Sequence, residues 1–142
     1  MSKSSAVQNV TGRCLCGGVR YTASAVRRQI IQCHCEMCRR QTGGLWMASH
    51  VVRSDITIED DDCLTWYQSS PQARRGFCSK CGSSLFIDND QRPTMGVGAG
   101  SVDQPSGLEL AVHIFADDAA DYEVIEDGIR QVPDGNPGLI YL

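Results

Sequence analysis

The stretch Phe77-Cys78-Ser79-Lys80-Cys81-Gly82 decides the fold, because its two cysteines are separated by two residues and followed by a glycine. A tight turn of this kind directs both sulfur atoms at one zinc ion, at about 2.3 Å. The glycine permits the backbone conformation that such a turn requires. A zinc knuckle of this type supplies two ligands, whereas a closed structural site has four. We therefore expect a second pair of cysteines from elsewhere in the chain.

The pair Cys14 and Cys16, which also adjoins a glycine, is the complement that we predict for the knuckle. Together the thiolates of Cys14, Cys16, Cys78 and Cys81 would form a closed tetrahedral zinc site. This site would join the first strands to the middle of the chain. It would also contribute directly to the free energy of folding.

A third group of cysteines, Cys33, Cys35 and Cys38, has no fourth member. Three protein ligands with an open fourth position are typical of a catalytic zinc site. If Cys35 opens a short helix that ends at Gly43, then Cys35 and Cys38 lie one turn apart on the same face. His34 lies inside this group, and it is a candidate fourth ligand or proton shuttle.

The residues alone leave other arrangements of the cysteines open. Disulfides are the ordinary alternative for paired cysteines, although a C-x-C pair is awkward to bridge. One zinc ion could take ligands from all three groups, or Cys33 could be a buried cysteine beside a two-ligand remnant. Cys63 stands apart from the groups, and we expect it to be a small hydrophobe in the core.

Composition limits the class of protein. The 142 residues, 42% of them hydrophobic, are enough for one globular domain. A net charge of -4 argues against a nucleic-acid partner. No run approaches the roughly 18 apolar residues of a membrane span, so we expect no membrane partner. Residues 1–10 carry no signal-peptide core, so we expect a cytoplasmic protein. In that compartment eight cysteines serve as metal ligands or redox groups.

The order of apolar and turn residues favours an all-β fold with little helix. Short alternating runs predict strands near residues 19–23, 45–52, 55–58, 64–68, 84–87, 95–99 and 108–115. We expect a flexible N-terminal lead at 1–10, a zinc domain at 11–130 and a loop-like C-terminal tail at 131–142.

The three cysteine groups and their neighbours resemble the glutathione-dependent formaldehyde-activating enzyme family, which also includes centromere protein V. The matching stretches are Gly12-Arg-Cys14-Leu-Cys16-Gly17-Gly-Val19-Arg-Tyr21, Cys33-His34-Cys35-Glu-Met-Cys38-Arg39-Arg40-Gln-Thr-Gly43, Phe77-Cys78-Ser-Lys-Cys81-Gly82-Ser-Ser-Leu85 and His113-Ile114-Phe115. The resemblance implies a β-tent, which is built from small antiparallel sheets around zinc. It also implies two zinc ions per chain, one structural at Cys14, Cys16, Cys78 and Cys81 and one catalytic at Cys33, Cys35 and Cys38.

The reaction that the resemblance implies joins glutathione to formaldehyde and gives S-hydroxymethylglutathione, which is carbon–sulfur lyase chemistry in the reverse direction. The expected partners are therefore a small thiol such as glutathione and a small aldehyde. Because glutathione carries two carboxylates, Arg39 and Arg40 beside the catalytic cluster are candidate substrate contacts. The pair Arg74-Arg75 could also meet an anionic substrate. Tyr122 stands where the family often carries a tryptophan.

Two other classes of function compete with this interpretation. The first is a non-catalytic binding module, a β-tent that zinc merely stabilises. A protein side chain closing the fourth position of the three-cysteine site would favour it. The second is a thiol-redox enzyme resembling methionine-R-sulfoxide reductase. That enzyme would require Cys63 or Cys33 as a free nucleophile.

Overall fold

The computed structural model describes residues 5–135, and it confirms the all-β fold class. No helix within these residues is long and apolar enough to cross a bilayer. The described elements are β1 (Ala6–Arg13), β2 (Val19–Arg27), β3 (Gln29–Cys33), α1 (Glu36–Thr42), β4 (Trp46–Val52), β5 (Ile56–Asp60), β6 (Leu64–Gln68), β7 (Ala73–Cys78), β8 (Ser84–Asn89), β9 (Thr94–Gly98), β10 (Glu109–Ile114) and β11 (Arg130–Gln131). Single 3-10 turns lie at Arg53–Asp55, Ala99–Ser101 and Ala116–Asp118.

The strands form two sheets. A three-stranded antiparallel sheet has the order β1-β2-β5, and an eight-stranded sheet has the order β11-β10-β3-β4-β9-β8-β7-β6. Within the described residues, β10 pairs in parallel with β3 and with β11, and every other strand pair is antiparallel. Parallel pairing is possible at β3 and β10 because most of the chain lies between them, and a parallel pair needs such a long connection.

Strand alternation divides the buried side chains of the long sheet between its two faces. On β4 and β9, the side chains of Val51, Met95 and Val97 belong to the core that packs against the small sheet. Their neighbours Trp46 and Ala48 belong to a second buried cluster, which also contains Cys33 and Cys38. The three-cysteine group therefore lies in its own apolar surroundings, apart from the main core.

Aromatic side chains join the two sheets. The ring of Phe86 on β8 meets Tyr21 of the small sheet edge-to-face, with centroids 5.6 Å apart. The other neighbour of Phe86 is Trp66, which is stacked at 6.1 Å. Phe86 is 1% exposed. This contact fixes how the small sheet lies on the long one.

Both ends of the described chain are more ordered than the sequence suggested. In the segment predicted as a flexible lead at 1–10, β1 begins at Ala6, because its backbone pairs with β2 and Val10 is buried. In the segment predicted as a loop-like tail at 131–142, Gln131 pairs with β10 and Val132 is buried. Residues 136–142 lie outside the described residues. The domain bounds of 11–130 stay a prediction.

Replacement of Phe86 by alanine tests the packing between the two sheets. We expect Phe86→Ala to lower the free energy of unfolding by about 3–5 kcal/mol, since a buried phenylalanine leaves a large cavity. Tyr67→Ala is the matched control, because Tyr67 is an aromatic residue that is 62% exposed. Urea unfolding measures both variants. An equal decrease in the free energy of unfolding for Phe86→Ala and Tyr67→Ala would contradict the role assigned to Phe86.

Candidate metal and catalytic site

Four cysteine sulfur atoms converge where the turn between β1 and β2 meets the turn between β7 and β8. The sulfurs of Cys14, Cys16, Cys78 and Cys81 all lie within 4.8 Å of one another. The separation is 3.6 Å between Cys14 and Cys16 and 3.7 Å between Cys16 and Cys78. A tetrahedral zinc ion with bonds of about 2.3 Å would separate its sulfur ligands by about 3.8 Å. The donor set and its spacing therefore fit a zinc ion.

Hydrogen bonds to the sulfurs favour the thiolate forms that a metal requires. The backbone N–H of Val19 donates to Cys14 Sγ at 3.3 Å, and that of Gly18 donates to Cys16 Sγ at 3.4 Å. The hydroxyl of Ser83, 3.2 Å from Cys81 Sγ, is the main cause that lowers the pKa of Cys81 to about 5. These backbone N–H groups and the Ser83 hydroxyl lie within the two turns or directly after them.

Cys63 packs beside this cluster as a buried side chain. It is 1% exposed, and burial raises the pKa of its thiol. A Cβ atom at Gly18 would lie 2.6 Å from Cys63 Sγ, so the close approach requires glycine there. The expectation that Cys63 is a small hydrophobe of the core agrees with this position.

The second cysteine group is assembled by the end of β3 and the start of α1. The sulfurs of Cys33, Cys35 and Cys38 lie within 4.8 Å of one another. Cys35 is the N-cap of α1, and its sulfur accepts a hydrogen bond from the N–H of Cys38 at 3.3 Å. Gly43, in the left-handed region at φ 83°, ends the helix as the sequence predicted.

The three thiols of this group affect one another's pKa through the hydrogen bonds between them. Hydrogen bonds with Cys33, and then with Cys38, lower the pKa of Cys35 to about 2. Hydrogen bonds with Cys35 and Cys38, together with burial, raise the pKa of Cys33. The lowered pKa of Cys35 favours its thiolate form, and three soft sulfur donors at this spacing fit zinc.

The sequence indicated Arg75 only together with Arg74, as a possible contact for an anionic substrate. In the structure Arg75 touches the second cluster. Its guanidinium nitrogens lie 3.5 and 3.6 Å from Cys38 Sγ, and the residue is 6% exposed. Its neighbour Arg74 faces outward, 4.0 Å from the ring centroid of Trp66, and pairs with Asp88. Strand alternation separates the two arginines. No strand was predicted over residues 73–78, so this difference between the two arginines could not be read from the sequence.

The arginines nearest in sequence to the cluster, Arg39 and Arg40, lie on α1. The side chain of Arg40 is 70% exposed and pairs with Glu36 at 2.8 Å, one helical turn away. Arg39 has a buried Nε without a hydrogen-bond partner among the described residues. A substrate contact at either residue stays a prediction.

His34 is directed away from the cysteine sulfurs, and its donor atoms are not part of the described metal-binding group. Its Nε2 lies 2.8 Å from His113 Nδ1, and its Nδ1 lies 3.2 Å from Glu123 Oε1. Glu123 also accepts from the backbone N–H of Ala120. The adjacent Tyr122 is 69% exposed. His34 therefore connects the cysteine loop to the segment after β10, a contact that the sequence did not indicate.

Removal of the Glu123 carboxylate tests this connection. We expect Glu123→Ala to lower the free energy of unfolding by about 1–3 kcal/mol, because the buried His34 Nδ1 would lose its partner. Glu123→Gln should lower the free energy of unfolding by less, since its amide oxygen can still accept a hydrogen bond from His34. Urea unfolding of the metal-loaded protein measures the effect, with exposed Glu126→Ala as the matched control. The same stability in Glu123→Ala and the control would contradict this role.

Comparison with known proteins gives one family. The family model described as glutathione-dependent formaldehyde-activating enzyme matches residues 9–118. This range covers both cysteine groups, Arg75 and His113. It ends before Glu123, so the contact between His34 and Glu123 lies partly outside the matched region.

Individual relatives agree with the family match. An uncharacterised lyase of Schizosaccharomyces pombe is 32% identical over 54% of this chain, and the match spans 55% of that protein. A putative glutathione-dependent formaldehyde-activating enzyme of Halomonas elongata is 26% identical over 81% of this chain and 80% of its own length. A crystal structure of a Rhodobacter sphaeroides protein is similar with a TM-score of 0.58 and 26% identity, over 66% of this chain and 88% of that one.

Proposed function

The chain belongs to the glutathione-dependent formaldehyde-activating enzyme family, and we propose that it is a zinc-dependent carbon–sulfur lyase. It would add a thiol, glutathione or a similar molecule, to formaldehyde or another small aldehyde. The observation that carries this proposal is the three-sulfur cluster of Cys33, Cys35 and Cys38. None of the other described side chains completes it as a fourth ligand. Three ligands and an open position are what catalytic zinc sites have in common.

The two clusters would have different tasks. Cys14, Cys16, Cys78 and Cys81 would hold a structural zinc ion, since four thiolates leave no position for a substrate. Cys33, Cys35 and Cys38 would hold the catalytic one. When bound there, zinc would lower the pKa of a substrate thiol so that it is present as a thiolate.

Arg75 would balance the charge of the catalytic site. Three thiolates and one divalent ion leave a net charge of -1, which is costly in apolar surroundings. The guanidinium at 3.5 Å from Cys38 Sγ offsets that charge without a proton that could be lost. Arg75 would therefore be a positioning residue that acts through Cys38.

The bond changes balance without an oxidant or reductant. The thiolate sulfur donates an electron pair to the carbonyl carbon, and a carbon–sulfur bond forms. The π-electron pair of the carbonyl moves to oxygen, which takes up the proton that the thiol released. Both ring nitrogens of His34 are engaged with His113 and Glu123. This arrangement favours a role for His34 in holding the Cys33–Cys35 loop, and solvent can return the proton.

The rival functions have less support. A thiol-redox enzyme requires an accessible nucleophile, but Cys63 is 1% exposed and Cys33 is 5% exposed. A fourth protein ligand at the three-cysteine group would favour a non-catalytic module. None of the other described histidine, cysteine, aspartate or glutamate side chains lies close enough to be that ligand. We place the reaction in the cytoplasm, because a reducing compartment keeps thiols free.

Replacement of one ligand tests the function. We expect Cys35→Ser to reduce the catalysed rate of adduct formation from glutathione and formaldehyde by about 100-fold or more, since even partners outside the ligand shell cost 10–100-fold. The rate above the uncatalysed background is followed by NMR. Met37→Ser is the matched control on the same helix, because Met37 is exposed. A correctly folded Cys35→Ser protein with the wild-type rate would rule out this mechanism.

Replacement of Arg75 tests charge balance. We expect Arg75→Gln to weaken zinc binding at the second cluster by about 10–100-fold, as measured by competition with a chelator. Arg75→Lys, which keeps the charge, should recover part of the affinity. Arg74→Gln, the neighbouring outward-facing residue, should leave it unchanged. The same zinc affinity in Arg75→Gln as in the wild type would show that the contact with Cys38 has no electrostatic role.

A further inference from the structure

A cleft opens beside the second cysteine cluster, on the face of the long sheet that is turned away from the small sheet. Cys33 and Cys38 line one end of it, and the cavity measures about 160 Å³. The walls next to these cysteines are the apolar side chains of Ile31, Trp46 and Ile114. Any molecule in the cleft would therefore lie against the proposed catalytic cluster.

The space in the cleft comes from small residues on neighbouring strands. In the sheet register, Gly96 of β9 pairs with His50 of β4 on one side and with Ile87 of β8 on the other. A Cβ atom at Gly96 would lie 3.5 Å from the oxygen of Ile87 and 3.8 Å from the Cβ of Ala48. These are ordinary contact distances, so an added methyl group would occupy free volume without forcing the backbone to move.

The far end of the cleft is polar. It is lined by His50, Asn89 and Arg92. Trp46, which pairs with Cys33, and His50 are four residues apart on β4, which corresponds to about 13 Å along a strand. Burial, with Arg92 and Arg27 nearby, lowers the pKa of His50 to about 4. The imidazole is therefore neutral at neutral pH, and the positive charge at this end comes from arginine.

Glutathione does not match this cleft. Its amide groups and two carboxylates would lose water against apolar walls without partners, which is costly. Formaldehyde, with two non-hydrogen atoms, would leave most of the volume unfilled. An apolar cavity of about 150 Å³ accommodates a benzene molecule, so the cleft has the size of one aromatic ring.

We propose that the cleft is the subsite for the aldehyde substrate, and that it selects aldehydes with an aromatic or branched apolar body and a carboxylate at the far end. The proposal rests on the proposed function and names the substrate class of that same site. The carbonyl group would be directed toward the Cys33 end, and the carboxylate would be directed toward the polar end that Arg92 lines. Apolar walls would also keep water away from the carbonyl, which otherwise adds water to form a hydrate. The carbon–sulfur bond forms as described above, and no further reactant is needed.

The first test uses a probe that cannot react. Calorimetric titration of the zinc-loaded protein with 4-methylbenzoate measures binding to the cleft alone. We expect Gly96→Ala to weaken this binding by about 10-fold, because the added methyl group fills part of the ring site. Gly100→Ala is the matched control, since a Cβ there meets no atom within 4 Å. Ala48→Val narrows the same cleft from another strand and serves as a second variant should Gly96→Ala fold poorly.

The second test compares two aldehydes with glutathione as the thiol. We expect kcat/KM to be at least 10-fold higher for 4-carboxybenzaldehyde than for formaldehyde in the wild type. Gly96→Ala should remove this preference. Arg92→Gln should remove the preference for 4-carboxybenzaldehyde over benzaldehyde.

The outcomes separate this proposal from the proposed function. Formaldehyde turnover without binding of 4-methylbenzoate, or with binding that Gly96→Ala does not weaken, would overturn the subsite and leave the lyase function standing. Binding of the probe without turnover of any aldehyde would overturn both, since the cleft would then not serve this chemistry.

Discussion

The convergence of four sulfur atoms between two turns is the constraint on which the rest of the molecule depends. Cys16 and Cys78 are 62 residues apart in the chain, and their sulfurs lie 3.7 Å apart. An ion held by these turns would join the small sheet to the long one, in addition to the contact between Phe86 and Tyr21. The closed loop includes β2 to β7 and therefore the whole three-cysteine segment. Metal binding at the first cluster would thus contribute to folding and position the second cluster.

The second cluster combines local and distant contributions. The cap of α1 places Cys35 and Cys38 one turn apart, which is a property of this short stretch of consecutive residues alone. The positive charge comes from Arg75 on β7. The segment between Cys33 and Cys35 is held by the contact of its His34 with Glu123, which lies after β10. A zinc ion held by Cys33, Cys35 and Cys38 would lie next to apolar side chains and the guanidinium of Arg75. Such a site would suit an exchangeable substrate thiolate, because few water molecules would compete for it.

The sequence predicted what local spacing determines. The helix opened by Cys35 and its end at Gly43 follow from short-range geometry, as does the closeness of the cysteines within each motif. That Cys14 and Cys16 lie with Cys78 and Cys81 was predicted from the need for four ligands, and the four sulfurs do lie together. The sequence alone could not distinguish Arg75 from Arg74. Arg75 is buried and Arg74 is exposed because only one face of β7 packs against α1, and that packing is a tertiary contact. Likewise β11 is a pair of polar residues with no strand pattern, and only its pairing with β10 makes it a strand.

The number and order of bound zinc ions test the central claim most directly. Native mass spectrometry during titration with a chelator, with circular dichroism on the same samples, measures both. We predict two zinc ions per chain. The ion at the three-cysteine site should be released first, with the fold intact, because it has fewer protein ligands. The ion at the four-cysteine site should be released only together with unfolding. A single zinc ion at saturation, or loss of both ions without unfolding, would contradict a structural cluster that supports a separate catalytic one.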